Sequence, residues 1–165
     1  MRPLPGPVGA GAARAPDPTD ADTAFSTPPP ASDGSIEVFL QVGTGARRFE
    51  AIEDGGDVGI VQGPQGGFHV WGGLRADGFD PGAQVRLDFE LVQSGSVVAR
   101  ATYYDALART EPEGPFEYAA VAVVIEKVEP RSVADLPATL RLSLTTEDGH
   151  VLEDELEVIP RCCDL

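Results

Sequence analysis

Apolar residues recur at every second position through most of this chain, and this period restricts the fold more than any other feature. Over residues 85–91 and 140–145, apolar side chains alternate with charged or polar ones. A β-strand sends successive side chains to opposite faces, so this period indicates strands with one buried face. The dipeptide Asp148-Gly149 is a strong hairpin signal between two such runs. The pattern predicts about eight or nine short strands and no convincing helix.

The predicted strands are bounded by turn residues. They cover residues 36–42, 49–52, 60–62, 84–91, 97–104, 116–125, 140–145 and 151–159. Because residues 116–125 are nearly all apolar, we expect that strand to be buried on both faces. Pro160 is expected to end the last strand, and a bulge is expected at Asp154, which breaks the alternation. This spacing favours an all-β fold, an antiparallel β-sandwich that is immunoglobulin-like or fibronectin III-like, with a jelly roll or small closed barrel as the alternative.

Composition divides the chain into three segments. Residues 1–35 hold eight prolines and four glycines, which predicts a disordered or semi-extended linker. Residues 36–160 form the predicted β-sandwich domain, and residues 161–165 form a short tail that contains a Cys-Cys pair.

Charge and hydropathy exclude several classes of function. Twenty-seven acidic residues against twelve basic ones give a net charge of −15, which disfavours nucleic acid and anionic membranes as partners. The chain has no apolar run of the roughly 18–20 residues that a membrane helix needs. Its first residues show no apolar core of a signal peptide. Nothing in the composition calls for a cofactor.

The segment from residue 63 to 73 holds the single tryptophan and one of the two histidines among many glycines. Glycines allow sharp turns and close backbone approach. We therefore predict a binding surface for a protein or glycan, made by His69 and Trp71 with Gln65, Gly66 and Gly67 shaping the loop. The alternatives are that Trp71 belongs to the core, its indole N–H bonded to a carbonyl, or that His69 ligates a metal.

This segment, with the Cys-Cys end, resembles uncharacterised bacterial envelope β-sandwich proteins that share a Gly-Pro-Gln-Gly-Gly-aromatic-His-x-Trp run. The resemblance covers residues 63–73 and, more loosely, 160–163. It implies an extracytoplasmic location (periplasm, envelope or secreted) and no particular activity.

The adjacent cysteines Cys162 and Cys163 leave three interpretations open. They are free thiols, or they form disulfides, or they ligate a soft metal together with His69 or His150. A disulfide would either link chains into an oligomer or bridge the two neighbours under strain, because adjacent Cα atoms lie only ~3.8 Å apart. No CxxC spacing supports the metal site.

Catalytic motifs are missing from the sequence: it contains no G-x-S-x-G, H-E-x-x-H, Walker or Rossmann pattern. Acidic turns at 54–57, 77–80 and 147–148 are explained by turn chemistry rather than by calcium loops. The sequence thus predicts a non-enzymatic binding, adhesion or structural module of the cell envelope. The alternative is a soft-metal-binding or thiol-redox protein that uses the Cys pair.

Overall fold

The structure is a computed structural model that describes residues 37–126 and 128–162, all of which belong to the unit Ser35–Leu165. The predicted linker at residues 1–35 and the predicted tail beyond Cys162, including Cys163, lie outside the described residues. Within the described ranges, no helix is long and apolar enough to cross a membrane.

The described residues form nine strands and one short helix, so the all-β prediction is confirmed. In chain order the elements are β1 Phe39–Gly43, β2 Gly56–Gln62, β3 Phe68–Asp77, β4 Val85–Gln93, β5 Ser96–Asp105, β6 Ala108–Arg109, β7 Phe116–Ile125, α1 Pro130–Val133, β8 Ala138–Thr145 and β9 Val151–Cys162. Most strands match the predicted runs. The predicted piece at 49–52 is reduced to a single bridge between Thr44 and Glu50.

The strands pair into one sheet that returns to its starting strand. Its order is β1-β3-β2-β9-β8-β4-β5-β7-β6, and β3 also pairs with β7. Seven strands of the described chain therefore form a ring, in the sequence β3, β2, β9, β8, β4, β5, β7 and back to β3. All the pairings are antiparallel except that of β2 with β9, which is parallel.

The prediction of two separate sheets differs from this pairing at two places. A sandwich would leave the strands β3 and β7 in one sheet and β9, β8, β4 and β5 in the other. The parallel pair β2–β9 joins these two groups at one side. A short β5–β7 pairing, limited to Ala99 with Ile125 and Arg100 with Val124, joins them at the other. Both pairings connect segments far apart in the chain. A local two-residue pattern carries no information about them.

Two expectations about β9 are wrong. The strand continues through Pro160 because Pro160 directs its carbonyl away from β2, to the backbone N–H of Asp135 at 2.8 Å, so its missing N–H costs no β2–β9 bond. No bulge occurs at Asp154, since β8 and β9 stay in register from Val151 to Val158. Asp154 instead points inward, where its carboxylate accepts the Val42 N–H at 2.7 Å.

The core fills the inside of the ring with aliphatic side chains and Phe89. Its fully buried large members are Phe89, Leu74, Leu87, Leu91, Leu140, Leu142, Leu144, Val42, Val70, Val85, Val121 and Val123. β7 was expected to be buried on both faces, yet Val123 is fully buried while its neighbour Val124 is 41% exposed. Within residues 37–126 and 128–162, no second layer covers the outer face of β7 at Val124.

Candidate functional site

The predicted binding segment forms the turn between β2 and β3 and the first half of β3. Two backbone bonds shape the turn: Gly63 N donates to Gly67 O at 2.7 Å, and Gly66 N donates to Gly63 O at 2.9 Å. Gly66 has a φ of 84°, a left-handed conformation that glycine adopts without strain. Gln65, Gly66 and Gly67 are exposed at the tip of this turn.

His69 and Trp71 lie on the outer face of the sheet. In the pairing, His69 stands opposite Val61 of β2 and Val124 of β7, and Trp71 stands opposite Ala122. Residues opposite each other on paired strands project to the same face. Val61 and Val124 are 37% and 41% exposed, so these side chains form an apolar outer patch, which we call the Trp71 face.

Trp71 is partly buried rather than open or sealed in the core. Its ring meets the His69 ring edge-on, with centroids 4.3 Å apart and an interplanar angle of 78°. Such a T-shaped contact is worth about 0.5–1.5 kcal/mol beyond area burial. The backbone behind it is held by Thr44, whose hydroxyl donates to the Trp71 carbonyl at 2.7 Å. The indole is therefore held in a defined orientation at the surface.

His69 lies beneath this contact and is only 7% exposed. Its Nε2 is buried and has no hydrogen-bond partner among the residues that the structure describes. Burial also lowers the pKa of His69 below its ordinary value, because desolvation disfavours the charged imidazolium. The imidazole therefore acts as a mainly neutral support for Trp71, and a ligand would touch Trp71 before it reached His69.

The structure does not bring the proposed metal ligands together. Cys162 stands opposite Ile60 in the β2–β9 pair and packs against the core, whereas His69 lies on the outer face. His150 is in the β8–β9 turn, where its Nε2 is 3.3 Å from Asp148. Among the described residues no group of three or more His, Cys, Asp or Glu side chains could hold a metal ion.

Cys162 is disulfide-bonded, so the free-thiol interpretation does not hold for this residue. A disulfide sulfur is not a thiolate, and thiolate is the form that binds soft metals. Cys163 lies outside the described residues. The disulfide-linked oligomer finds no support in the described part of the chain.

Sequence reasoning missed a groove of about 610 Å³ on the outer face of β4, β8 and β9. Ser143 lies between Asp88 and Glu153 in this groove, since these three residues are directly opposite one another across the strands. In the next row Arg141 bonds Glu155 at 3.0 Å. The signal was present in the sequence as the polar positions of three alternating strands. The groove is lined by Asp88, Glu90, Arg141, Leu142, Ser143, Glu153, Asp154 and Glu155.

Carboxylates in the acidic turns bind backbone amides. Asp80 accepts the N–H of Gly82 at 3.0 Å, Glu147 accepts that of Ala83 at 2.7 Å, and Asp54 accepts that of Glu157 at 3.1 Å. The Asp80 bond is the local turn chemistry that the sequence indicated. The Glu147 and Asp54 bonds instead tie their turns to segments far away in the chain.

No family model and no curated protein matches this chain. Among solved structures it is similar to CopC from Methylosinus trichosporium OB3b, with 17% identity, a TM-score of 0.36, and coverage of 78% of this chain and 98% of that one. It is also similar to murine CRIg, with 11% identity, a TM-score of 0.32, and coverage of 76% and 99%. At these TM-scores neither likeness bears on function.

Proposed function

We propose that this domain is a non-enzymatic binding or adhesion module that takes a protein or glycan ligand on the Trp71 face. The observation that carries the proposal is the partly buried indole, fixed edge-on against buried His69 and bordered by exposed Val61 and Val124. Tryptophan in such a setting offers a rigid aromatic surface with little conformational entropy to lose on binding. The exposed turn at Gln65, Gly66 and Gly67 supplies backbone polar groups beside it.

We further propose an immunoglobulin-like arrangement for the strands. The pair β3–β7 forms one layer and the order β9-β8-β4-β5 forms the other, and the parallel β2–β9 pairing links them. This order supports a sandwich whose two layers are joined at both sides, with the Trp71 face on the outer side of the first layer.

The single tryptophan makes the site directly observable. Trp71 is the only tryptophan of the chain, so intrinsic fluorescence reports on this face alone. Titration with a panel of soluble glycans and peptides is expected to give a saturable emission change for one ligand class. Trp71→Ala is expected to weaken that binding by about 30-fold, the effect of losing a hot-spot aromatic worth ~2 kcal/mol, measured by calorimetry.

The matched control is Tyr104→Ala, which removes an aromatic that is 59% exposed on the outer face of β5. It is expected to leave binding unchanged. Far-UV circular dichroism of both variants checks the fold. Unchanged affinity in Trp71→Ala contradicts the proposal, and unfolding of that variant assigns Trp71 to the core instead.

An extracytoplasmic location is part of the proposal, and the disulfide at Cys162 supports it. Disulfides persist in oxidising compartments and are rare in the cytosol. Fractionation of the source cells, followed by detection of the protein with an antibody, tests the location. Recovery with the cytosolic fraction contradicts it.

The same disulfide favours thiol–disulfide exchange as a second candidate function. The test is to incubate the protein with a dithiol reductant under defined redox buffers and to titrate released thiols. Resistance to reduction in the folded protein, with release only after unfolding, would assign the bond a structural role.

A further inference from the structure

A small groove against β7 has a charge balance opposite to that of the whole chain. Its volume is about 270 Å³, and it lies between residues 47–49 of the loop after β1, residues 108–110 and residues 117–119. The chain as a whole has twenty-seven acidic residues and twelve basic ones. The charged residues that line this groove are instead three arginines and one glutamate, namely Arg47, Arg48, Arg109 and Glu117.

Two of these four side chains are already neutralised by partners. Arg109 bonds Asp77 at 2.8 Å, and its guanidinium carbon lies 4.1 Å from the centroid of the Phe116 ring. Oε1 of Glu117 accepts two bonds from Arg75, at 2.7 and 2.9 Å. The uncompensated positive charge of the groove therefore belongs to the two arginines of the loop.

Arg47 and Arg48 are exposed and have no ion-pair or hydrogen-bond partner among residues 37–126 and 128–162. Every other arginine in these ranges except Arg131, on α1, is paired with a carboxylate. Two unpaired guanidinium groups at adjacent positions of one groove are thus exceptional in this acidic chain. Both are available to a ligand.

The loop that carries the two arginines is held at both ends. Thr44 and Glu50 exchange backbone bonds of 2.9 and 2.8 Å, and the carbonyl of Gly45 accepts the N–H of Ala120 at 2.8 Å. Phe49, the residue after the pair, is only 7% exposed. Because the backbone is fixed before binding, little loop entropy is lost when a ligand arrives.

The polar groups of the groove indicate what kind of ligand fits. A guanidinium presents a planar fork of N–H donors that matches the oxygens of a carboxylate. Beside the two forks lie the Thr110 hydroxyl and Oε2 of Glu117, which are 3.4 Å apart. Arg75 uses only the other oxygen of Glu117, so Oε2 can accept a hydroxyl proton, and a threonine hydroxyl can donate or accept.

Size and net charge restrict the ligand further. The groove has the volume of about nine water molecules, which is room for one substituted sugar ring. The net charge of −15 repels polyanions at long range, so a ligand with a single negative group is favoured. We propose that this groove binds a sugar acid, with its carboxylate on Arg47 and Arg48 and its ring hydroxyls on Thr110 and Glu117.

This groove is separate from the Trp71 face. Glu117 is paired with Arg75, four residues along β3 from Trp71, which is about 13 Å of strand. A sugar acid in the groove therefore needs no contact with Trp71. Binding here does not depend on the function proposed for that face.

The first test is an NMR titration of the isotope-labelled full chain at physiological salt with three probes. Glucuronate is expected to give saturable shifts at residues 47–49 and 108–110. Methyl glucoside, which has the hydroxyls without the carboxylate, is expected to give none. Acetate, which has the carboxylate without the hydroxyls, is expected to bind more weakly. This comparison uses the unmodified chain, so it decides the question even if a variant fails to fold.

The second test measures glucuronate affinity in variants. Arg47→Gln and Arg48→Gln are each expected to weaken binding about tenfold, since each removes a charge-assisted hydrogen bond. Arg48→Lys keeps the charge and loses the planar fork, and it should weaken binding less than Arg48→Gln. The matched control is Arg131→Gln, which removes the same charge from the other unpaired arginine and should leave affinity unchanged.

Four results would overturn this assignment. They are the absence of saturable glucuronate shifts, binding of acetate or methyl glucoside as tight as that of glucuronate, shifts centred on Trp71 instead of the groove, and an equal loss of affinity in Arg131→Gln. Circular dichroism of each variant checks that the fold is retained.

Discussion

At the scale of the residue, Gly72 shows how one position couples the core to the Trp71 face. A Cβ built on Gly72 would come within 2.9 Å of the Phe89 ring, a distance that real Cβ atoms do not show. Phe89 is fully buried among the core side chains, so it has little room to move. Because Gly72 has no side chain, β3 can pack closely against the aromatic ring of Phe89.

Gly72→Ala is expected to lower the free energy of unfolding by about 1–3 kcal/mol, the usual result of overpacking a filled core. Gly67→Ala is the matched control, since a Cβ there meets nothing within 4 Å. Urea denaturation followed by circular dichroism measures both. Equal stability of the two variants would show that Phe89 shifts at no cost.

His69 is expected to make stability depend on pH between neutral and mildly acidic conditions. Burial lowers its pKa below 6.5 in the folded state, so the unfolded chain takes up the proton first as pH falls. The contribution of His69 is therefore fully present above pH 6.5 and is lost as pH falls from there through the folded-state pKa.

The measurement is urea denaturation at about pH 7.5 and about pH 5.5. The His69→Phe variant, which cannot titrate at this position, should lose less stability between the two conditions. The carboxyl groups of Asp77, Asp105 and Asp148 have pKa values below 3.8, outside this window. A drop of the same size in both proteins would assign the pH dependence to other groups.

At the scale of the element, β1 depends on one carboxylate of β9. β1 pairs with β3 on one side, and on the other the N–H of Val42 is satisfied by the Asp154 carboxylate at 2.7 Å. Val42 is 2% exposed, so water cannot replace this acceptor without local opening. Asp154, the inward-pointing charge that interrupts the alternation of β9, therefore holds β1 in place beside β3.

Asp154→Ala is expected to cost about 1–3 kcal/mol, because it leaves a buried amide without a partner. Glu155→Ala is the control: it removes an exposed side chain paired with Arg141, and such pairs contribute little. Denaturant unfolding gives the stabilities, and amide exchange of Val42 should quicken in the first variant only. An unaffected Val42 amide would show that it finds another acceptor.

The strands that the sequence predicted are those with one buried face. The run at 85–91 alternates because Leu87 and Phe89 face the core while Asp88 faces solvent, and β4 follows it closely. The first part of β2, Gly56–Gly59, was missed because its residues show no apolar period. Its strand conformation comes from pairing with β9, and a partner so distant in the chain leaves no local signal.

For the candidate site too, the sequence predicts what depends on position along one strand and not what depends on other strands. That His69 and Trp71 share a face follows from their spacing along a strand, and their rings do meet. The burial of His69 could not be predicted, because it depends on Val61 and Val124, which other strands bring beside it.

At the scale of the whole molecule, the ring has one short seam. Where β5 meets β7, only Ala99 with Ile125 and Arg100 with Val124 are paired, whereas β4 and β8 are paired from Arg86 to Val92. Beyond these pairs β5 and β7 diverge. A side-chain bond crosses the gap, from the Tyr118 hydroxyl to Asp105 at 2.6 Å.

The bond shifts the pKa values of both groups. Burial and the hydrogen bond to Asp105 raise the pKa of Tyr118 to about 12. The Tyr118 hydroxyl, with the backbone N–H of Ala106, lowers the pKa of Asp105. The bond is therefore present at neutral pH. It weakens only when the Asp105 carboxylate is protonated, at a pH below 3.8, the ordinary pKa of this group.

We expect the ring to open at this seam before it unfolds elsewhere, because the fewest backbone bonds must break there. In amide exchange, Val124, whose N–H faces β5, should exchange faster than Ser143, whose N–H faces β4 in the β4–β8 ladder. Tyr118→Phe should widen that difference several-fold, since it removes the hydroxyl that bonds across the gap and keeps the aromatic side chain at position 118. Tyr104→Phe, which changes an exposed tyrosine hydroxyl away from the gap, should leave the exchange rates as they are. Equal protection of Val124 and Ser143 would mean that the ring of strands opens as one unit and that closure at β5–β7 is as strong as the long ladders.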